Sequence, residues 1–216
     1  MPRKADELFS HIANFRALHE AAMRAIRGKR SKPGAAAFMA NLERELLRLE
    51  RVLLDGTWRP GRFTTFRVTD PKPRNISAAP CRDRVVHRAL CAVVEPVFER
   101  GFIANSYANR KAKGSHRAIA CYEKYRDRHG FVLRCDIHRY FPAIDHDILK
   151  HEFRRRIACA PTLALLDAIV DGSNPQEPVE KYFPGRHLGA TRRCWRWVRG
   201  LLRKGGSNPC ADGVRR

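Results

Sequence analysis

Phe131-Val-Leu-Arg-Cys-Asp136-Ile-His-Arg-Tyr-Phe141 is the stretch of sequence that decides the fold. The apolar run from Phe131 to Cys135 predicts a buried strand, and that strand delivers Asp136 at its end. A carboxylate held at the end of a rigid strand is well placed to bind a metal ion. Phe141 follows closely enough for its ring to form a wall over whatever the ion binds. Asp145 is interpreted as the N-cap of the next helix.

Hydrophobic periodicity on both sides of this stretch predicts a mixed architecture. Residues 62–69 alternate between apolar and polar side chains, which indicates a strand, and a short return strand is predicted at 75–77. Apolar side chains that share one helix face indicate helices at residues 6–27, 35–54 and 82–100, and further helices are predicted at 116–128, 146–158 and 161–171. The predicted fold class is therefore α+β, with a helical N-terminal region over residues 1–60.

Composition restricts the class of partner. The chain has 216 residues, of which 44% are hydrophobic, and its formal net charge is +21 at pH 7. This excess favours a polyanion, nucleic acid before membrane, although a generally arginine-rich proteome would produce the same excess. Seven cysteines without a C-x-x-C pair fit a reducing cytosol better than a zinc or disulfide framework. No apolar run approaches the roughly 18 residues of a membrane span, so a cytoplasmic location is expected.

The first basic motif is Thr65-Phe-Arg-Val-Thr-Asp-Pro-Lys72-Pro-Arg74-Asn-Ile76. A hairpin whose turn carries Lys72 and Arg74 extends two cations over a phosphate chain. Arginine offers phosphate oxygens a fixed fork of donors, whereas lysine acts as a mobile point charge. A solvated basic hairpin without a ligand is the alternative interpretation.

The second motif, Cys81-Arg-Asp83-Arg84-Val-Val-His-Arg88-Ala-Leu, lies at the start of a predicted helix. Asp83 in the first turn is expected to complement the helix dipole. Arg84 and Arg88 are four residues apart and share one helix face. They are interpreted as structural residues or as contacts to a nucleic-acid backbone.

The third motif, Asn105-Ser-Tyr107-Ala-Asn-Arg110-Lys111-Ala-Lys113-Gly-Ser115-His, gathers three cations in one loop. Ser115 is predicted to cap the following helix, and the backbone before it is predicted to approach a strand of phosphates closely. Tyr107 either stacks on a base or packs against the protein.

The three basic motifs and the stretch around Asp136 form a colinear series that resembles the fingers and first palm motifs of prokaryotic reverse transcriptases. The series is most similar to the enzymes of diversity-generating retroelements, with retron and group II intron enzymes as neighbours. It covers about Phe38 to Gly185. Two differences are small: Ala112 and Ala143 stand where the family more often has glycine and serine.

The resemblance implies roles for individual residues. Asp136 is the catalytic carboxylate, which would bind Mg²⁺ together with the carbonyl of Ile137. The residues that would meet the incoming nucleotide are Lys72, Arg74 and Arg110 at the triphosphate and Phe141 at the sugar. The residues that would contact nucleic acid are Lys111, Lys113 and Arg84. The implied partners are an RNA template, a DNA or RNA primer, a dNTP and an accessory protein, with no membrane.

One family motif is missing. The second metal motif, Tyr-x-Asp-Asp, should follow the resemblance, and the sequence contains no Asp-Asp pair. Fingers are therefore expected over 61–130 and an incomplete palm over 131–185. Residues 186–216 hold nine arginine or lysine residues and one acid, Asp212, with irregular hydrophobic spacing. The favoured interpretation is an N-terminal fragment with an out-of-frame tail, and a genuine basic extension is the alternative.

Function follows from these two observations. The resemblance implies an RNA-directed DNA polymerase, a nucleotidyltransferase that needs two bridged metal ions. The absent carboxylate pair implies that the polypeptide is inactive alone. The alternative from another class is a non-catalytic RNA-binding module in which Asp136 is structural, and a third reading is an inert product of a decayed gene.

Overall fold

The computed structural model describes residues 4–70, 73–136, 140 and 144–173. Within them the chain forms helices and one antiparallel hairpin, so the fold class is α+β, as predicted. The elements are α1 (Phe9–Ile12), α2 (Phe15–Ile26), α3 (Pro33–Ala40), α4 (Leu42–Leu54), β1 (Thr64–Val68), β2 (Arg74–Ala78), α5 (Cys81–Glu99), α6 (Ser115–Arg126), α7 (His146–Arg156) and α8 (Ala160–Asp171).

The chain divides into two compact units. The first contains residues 1–100 and 144–176, and the second contains residues 101–143 and 177–216. The first unit holds nine of the ten elements named above, and α6 belongs to the second. The proposed division into an N-terminal region, fingers and palm stays a prediction. The basic tail at 186–216 lies outside the described residues.

The core of the first unit is built from the apolar faces of α2, α4 and α5. Leu18, Leu46, Leu49, Val85 and Val86 are fully buried there. Their spacing of three or four residues within each helix places them on one face, which explains why periodicity located these helices. Burial of this face is the main source of stability for the unit.

Two predicted helices are each divided by an asparagine. Asn14 has an extended backbone, and its side-chain oxygen accepts the Ala17 N–H at 2.8 Å, so it caps α2 and separates it from α1. Asn41 separates α3 from α4 with φ of −124° and ψ of 29°. At Asn14 the side chain replaces a missing backbone hydrogen bond of the helix, whereas at Asn41 no side chain caps α4 and the backbone conformation alone marks the break. The unbroken helices expected at 6–27 and 35–54 were therefore wrong.

The hairpin of β1 and β2 is confirmed. Its strands pair antiparallel from Thr64 with Ala78 to Val68 with Arg74. Most of β1 is exposed to solvent, including the Phe66 ring at 48%. An isolated two-stranded hairpin is marginally stable in water, so its conformation depends on how its ends are attached to the rest of the unit.

Helix α7 of the first unit begins at the predicted cap residue. The side chain of Asp145 accepts the backbone N–H groups of Asp147 at 2.9 Å and Ile148 at 3.0 Å. The predicted N-cap is thus confirmed. The carboxylate also lies at the positive end of the α7 dipole.

His87 on α5 gives the stability of the first unit a pH dependence. Its ring packs edge-on against the Trp58 ring, with centroids 6.4 Å apart. Burial lowers the pKa of His87 below its usual value of 6.5, and the negative charge of Asp83 offsets part of this decrease. The folded state therefore holds the neutral form, while the unfolded chain binds a proton below pH 6.5. We expect the midpoint of urea unfolding to fall as the pH drops from about 7 to about 5.

The control for this prediction is the exposed His116. His87→Phe should flatten the pH dependence over this window, whereas His116→Gln should leave it unchanged. An unfolding midpoint that stays constant with pH in the unmodified chain would contradict the prediction.

Candidate nucleic-acid interface

Asp136 is described, but much of the site predicted around it is not. Asp136 is exposed and ends the described part of its segment. Ile137, Phe141 and Lys72 lie outside the described residues, so their predicted roles stay predictions. Of Arg74 only the backbone is described, where it pairs with Val68 in the hairpin.

The buried strand predicted at 131–135 was wrong. Residues 131–136 have no regular secondary structure, and Phe131, Val132 and Leu133 are 96%, 59% and 83% exposed. A strand forms only where a neighbouring strand satisfies its backbone groups. Within the described residues the named strands, β1 and β2, pair with each other. The apolar run therefore has the composition of a central strand, although none of the strands in the described part of the chain pairs with it.

The described residues do not fit a two-metal site. Among them, no group of three or more His, Cys, Asp or Glu side chains could hold a metal ion. Two-metal catalysis needs carboxylates that bridge both ions, and an exposed carboxylate alone supplies too few oxygen ligands. The role of Asp136 as a Mg²⁺ ligand thus stays a prediction from the resemblance.

The cationic loop, residues 101–114 of the second unit, is organised by its own side chains. The Arg110 guanidinium donates from Nη1 to the carbonyl oxygens of Ile103 at 2.8 Å and Ser106 at 3.0 Å. The same guanidinium lies over the Phe102 ring, 5.5 Å from its centroid. The Ile103 carbonyl also accepts the Ser106 N–H at 3.2 Å, so the guanidinium adds a second bond to a backbone turn and joins it to Ser106.

Lys113 also binds a carbonyl oxygen and an aromatic ring of the same loop. Its Nζ donates to the carbonyl oxygen of Ala104 at 2.6 Å and lies 5.2 Å from the centroid of the Tyr107 ring. Just beyond the loop, Arg117 Nη1 donates to the carbonyl oxygen of Ala112 at 2.6 Å. Tyr107 therefore packs within the protein beneath a cation, which is the second of the two roles predicted for it.

Three residues give the loop its sharp turns. Asn109, Ala112 and Gly114 have φ of 57°, 56° and 88°, in the left-handed region. This conformation is unfavourable for alanine, which explains physically why glycine is common at position 112 in the family that the sequence resembles. Gly114, not Ser115, is the N-cap of α6, and no side chain caps this helix. The predicted Ser115 cap was wrong because Ser115 is already helical.

These contacts leave a loop that is both ordered and strongly charged. Between residues 101 and 114 the sequence has three lysine or arginine residues, Arg110, Lys111 and Lys113, and no acid. Arg110 and Lys113 are half-buried, while Lys111 between them is exposed. A hydrogen bond to a carbonyl does not remove the charge of a guanidinium or an ammonium group. The surface is thus a fixed array of cations with Lys111 projecting to solvent.

The cations predicted on the first unit are arranged differently. Arg84 is half-buried on α5, and its Nε is buried without a hydrogen-bond partner among the described residues. Arg88 and Arg67 are exposed. Both roles predicted for Arg84, a structural one and a nucleic-acid contact, therefore stay predictions.

Sequence comparison finds similarity to two proteins, in each case over part of the chain. No protein-family model matches the chain. Over 134 residues it is 31% identical to Protein YkfC of Escherichia coli strain K12, covering 59% of this chain and 35% of that protein. Over 126 residues it is 25% identical to nuclear intron maturase 1, mitochondrial, of Arabidopsis thaliana, covering 57% of this chain and 18% of that protein.

The chain thus spans about a third and less than a fifth of the lengths of these two relatives. The similarity to the maturase supports a distant maturase-like relationship. In the described part of the chain, none of the helices combines the length and the hydrophobicity that a bilayer span requires.

Proposed function

We propose that the chain is a relative of reverse transcriptases that binds RNA, and that the cationic loop is its main contact surface. The observation that carries this proposal is the loop itself. Its arginine and lysine side chains hold the backbone in one conformation while keeping their charges at the surface. A preorganised array of cations binds a phosphate backbone with little further loss of conformational entropy. The similarity to an intron maturase fits a partner of this kind.

The same proposal assigns the chain no complete catalytic site of its own. Mg²⁺, a dNTP, a primer and an accessory protein are partners that the family resemblance implies, with Asp136 as the carboxylate that would hold the metal. The sequence contains no Asp-Asp pair to complete a two-metal site, which is why the proposal is RNA binding and not catalysis. A cytosolic setting, in which thiols such as the exposed Cys91 and Cys135 stay reduced, belongs to the same proposal.

RNA affinity measured against salt tests the proposal. For about five phosphate contacts to single-stranded RNA, we expect the association constant to fall roughly 100-fold between about 50 and 200 mM salt. Lys111→Gln should reduce the slope of log K against log salt by about 0.7, because one phosphate contact to a single strand is lost. Fluorescence anisotropy with a labelled oligonucleotide of mixed sequence measures both quantities.

The matched control is Lys29→Gln, which removes the same charge from an exposed turn of the first unit. It should leave the slope unchanged. Equal slopes for the unmodified chain and Lys111→Gln would remove the loop from the interface. Absence of RNA binding at the lowest salt would refute the proposed function.

A further inference from the structure

Asp83 is a buried carboxylate in the first turn of α5. Its side chain is 1% exposed, and its Oδ2 accepts the backbone N–H of Gly61 at 2.6 Å. The bond joins α5 to the segment that enters the hairpin, 22 positions earlier in the chain. The predicted place of Asp83 in the first turn of a helix is confirmed, and its carboxylate makes this tertiary contact in addition.

Both ends of the hairpin meet at this carboxylate. Gly61 lies just before β1, and Pro80, the N-cap of α5, lies just after β2. A Cβ atom added to Gly61 would lie 3.1 Å from Pro80 Cγ and 3.2 Å from Asp83 Oδ2. The entering and leaving segments thus approach within van der Waals distance, and glycine leaves the space that the carboxylate occupies.

A second anchor fixes the entering segment at its other end. Trp58 is 4% exposed, and its ring packs edge-on against His87, one helical turn beyond Asp83 on α5. Residues 58–61 are therefore attached to one face of α5 at two points, by an aromatic contact and by a hydrogen bond to a carboxylate.

Stability alone is a poor explanation for this carboxylate. A buried charge loses its hydration, and the compensation here is one backbone N–H and the Arg82 guanidinium, whose Nε is 3.7 Å from Oδ1. Oδ1 itself is buried without a hydrogen bond among the described residues. An apolar side chain would fill this space without the desolvation penalty. What it would lack is an acceptor for the Gly61 N–H.

We propose that Asp83 is a positioning residue for RNA binding: it fixes the base of the hairpin to α5 and so determines where the hairpin cations stand. The inference rests on the proposed function and extends it to a second surface. The described cations that it positions are Arg62, next to Gly61, and Arg67 in β1, both exposed. Because a hairpin of two strands is marginal alone, the orientation of these cations depends on the attachment at its base.

The test compares Asp83→Ala with Asp83→Asn in the full chain. Alanine removes the acceptor, so amide hydrogen exchange in β1 and β2 should accelerate about tenfold or more, while exchange in α4 stays slow. Asparagine keeps an oxygen acceptor for the Gly61 N–H, so it should restore most of the hairpin protection. Asp147→Ala is the matched control, because it removes an acid from the first turn of α7 without touching the hairpin.

RNA binding of the same variants separates positioning from mere stability. Displaced cations lose phosphate contacts, so Asp83→Ala should lower the slope of log K against log salt by about 1 as well as lower the affinity. A variant that is only partly unfolded would lose active fraction and keep the slope. If Asp83→Ala does not fold, Gly61→Ala, whose new methyl group presses on the carboxylate, serves in its place.

Two results would overturn the inference. One is acceleration of exchange by the same factor in the hairpin and in α4, which would make Asp83 a general stability residue. The other is a loosened hairpin with unchanged affinity and slope, which would place the hairpin outside the interface. If the unmodified chain bound no RNA, the proposed function and the positioning role would both fail, and the exchange data would still report whether Asp83 holds the hairpin.

Discussion

Leu46→Ala is expected to lower the free energy of unfolding of the first unit by about 3–4 kcal/mol. Leu46 is fully buried on α4, within the core that α2, α4 and α5 share. Truncation removes the transfer free energy of the side chain and leaves a cavity that the packed helices fill only in part. Urea unfolding followed by circular dichroism measures the loss, with a slope that should stay close to that of the unmodified chain.

Leu54→Ala is the matched control for this prediction. Leu54 lies on the same helix but is 61% exposed, so its replacement should change the free energy of unfolding by at most about 0.5 kcal/mol. Similar losses for the two variants would show that α4 does not pack in the way described.

The second large effect is an expected absence of polymerase activity. With an RNA template, an annealed primer, dNTPs and Mg²⁺, the 216-residue chain should extend no primer above the level of a sample without protein. The sequence contains no Asp-Asp pair, and two metal ions need more bridging carboxylates than Asp136 supplies. Extension products resolved at single-nucleotide level measure this directly.

Asp136→Ala provides the control for that experiment. It should be indistinguishable from the unmodified chain in the extension assay and should bind RNA with the same salt dependence. Template-dependent extension that disappears in Asp136→Ala would contradict the prediction and would make Asp136 a catalytic residue of this chain.

The parts of the fold that were predicted correctly from the sequence are those that depend on local patterns. Helix α5 was predicted from the spacing of its apolar residues, Val85, Val86, Ala89 and Leu90. This works because an amphipathic helix forms its own backbone hydrogen bonds and needs only one apolar face to pack. The hairpin was found from alternation and its turn residues, which are also local signals. The Asp145 cap followed from a carboxyl group directly before a helical pattern.

The failure at Phe131 has the opposite cause. An apolar run rich in β-branched and aromatic residues indicates that a segment favours a sheet, but not that the sheet is present. Strand formation depends on partners that are distant in sequence, and periodicity contains no information about them. The helix breaks at Asn14 and Asn41 were missed for a smaller reason, since the apolar spacing continues across each break.

The sequence predicted which cations the candidate site contains but not the hydrogen bonds that these cations make. The cluster of Arg110, Lys111 and Lys113 was evident from the sequence, whereas the carbonyl groups that two of them bind depend on how the loop folds. One signal was available: a loop without regular structure has unpaired carbonyls, and nearby long cationic side chains are natural donors. Asp83 could not be assigned a tertiary partner from its own helix.

The self-bonded loop also has a consequence for the rate at which the chain meets its partner. Cations tethered to their own backbone occupy fixed positions before any encounter, so their summed field acts on an approaching polyanion over distances near the Debye length. Arg110 and Lys113 contribute to this field from fixed positions, and the exposed Lys111 adds its charge to it. In dilute salt, capture of a polyanion by such a surface is governed by diffusion, not by rearrangement of the loop.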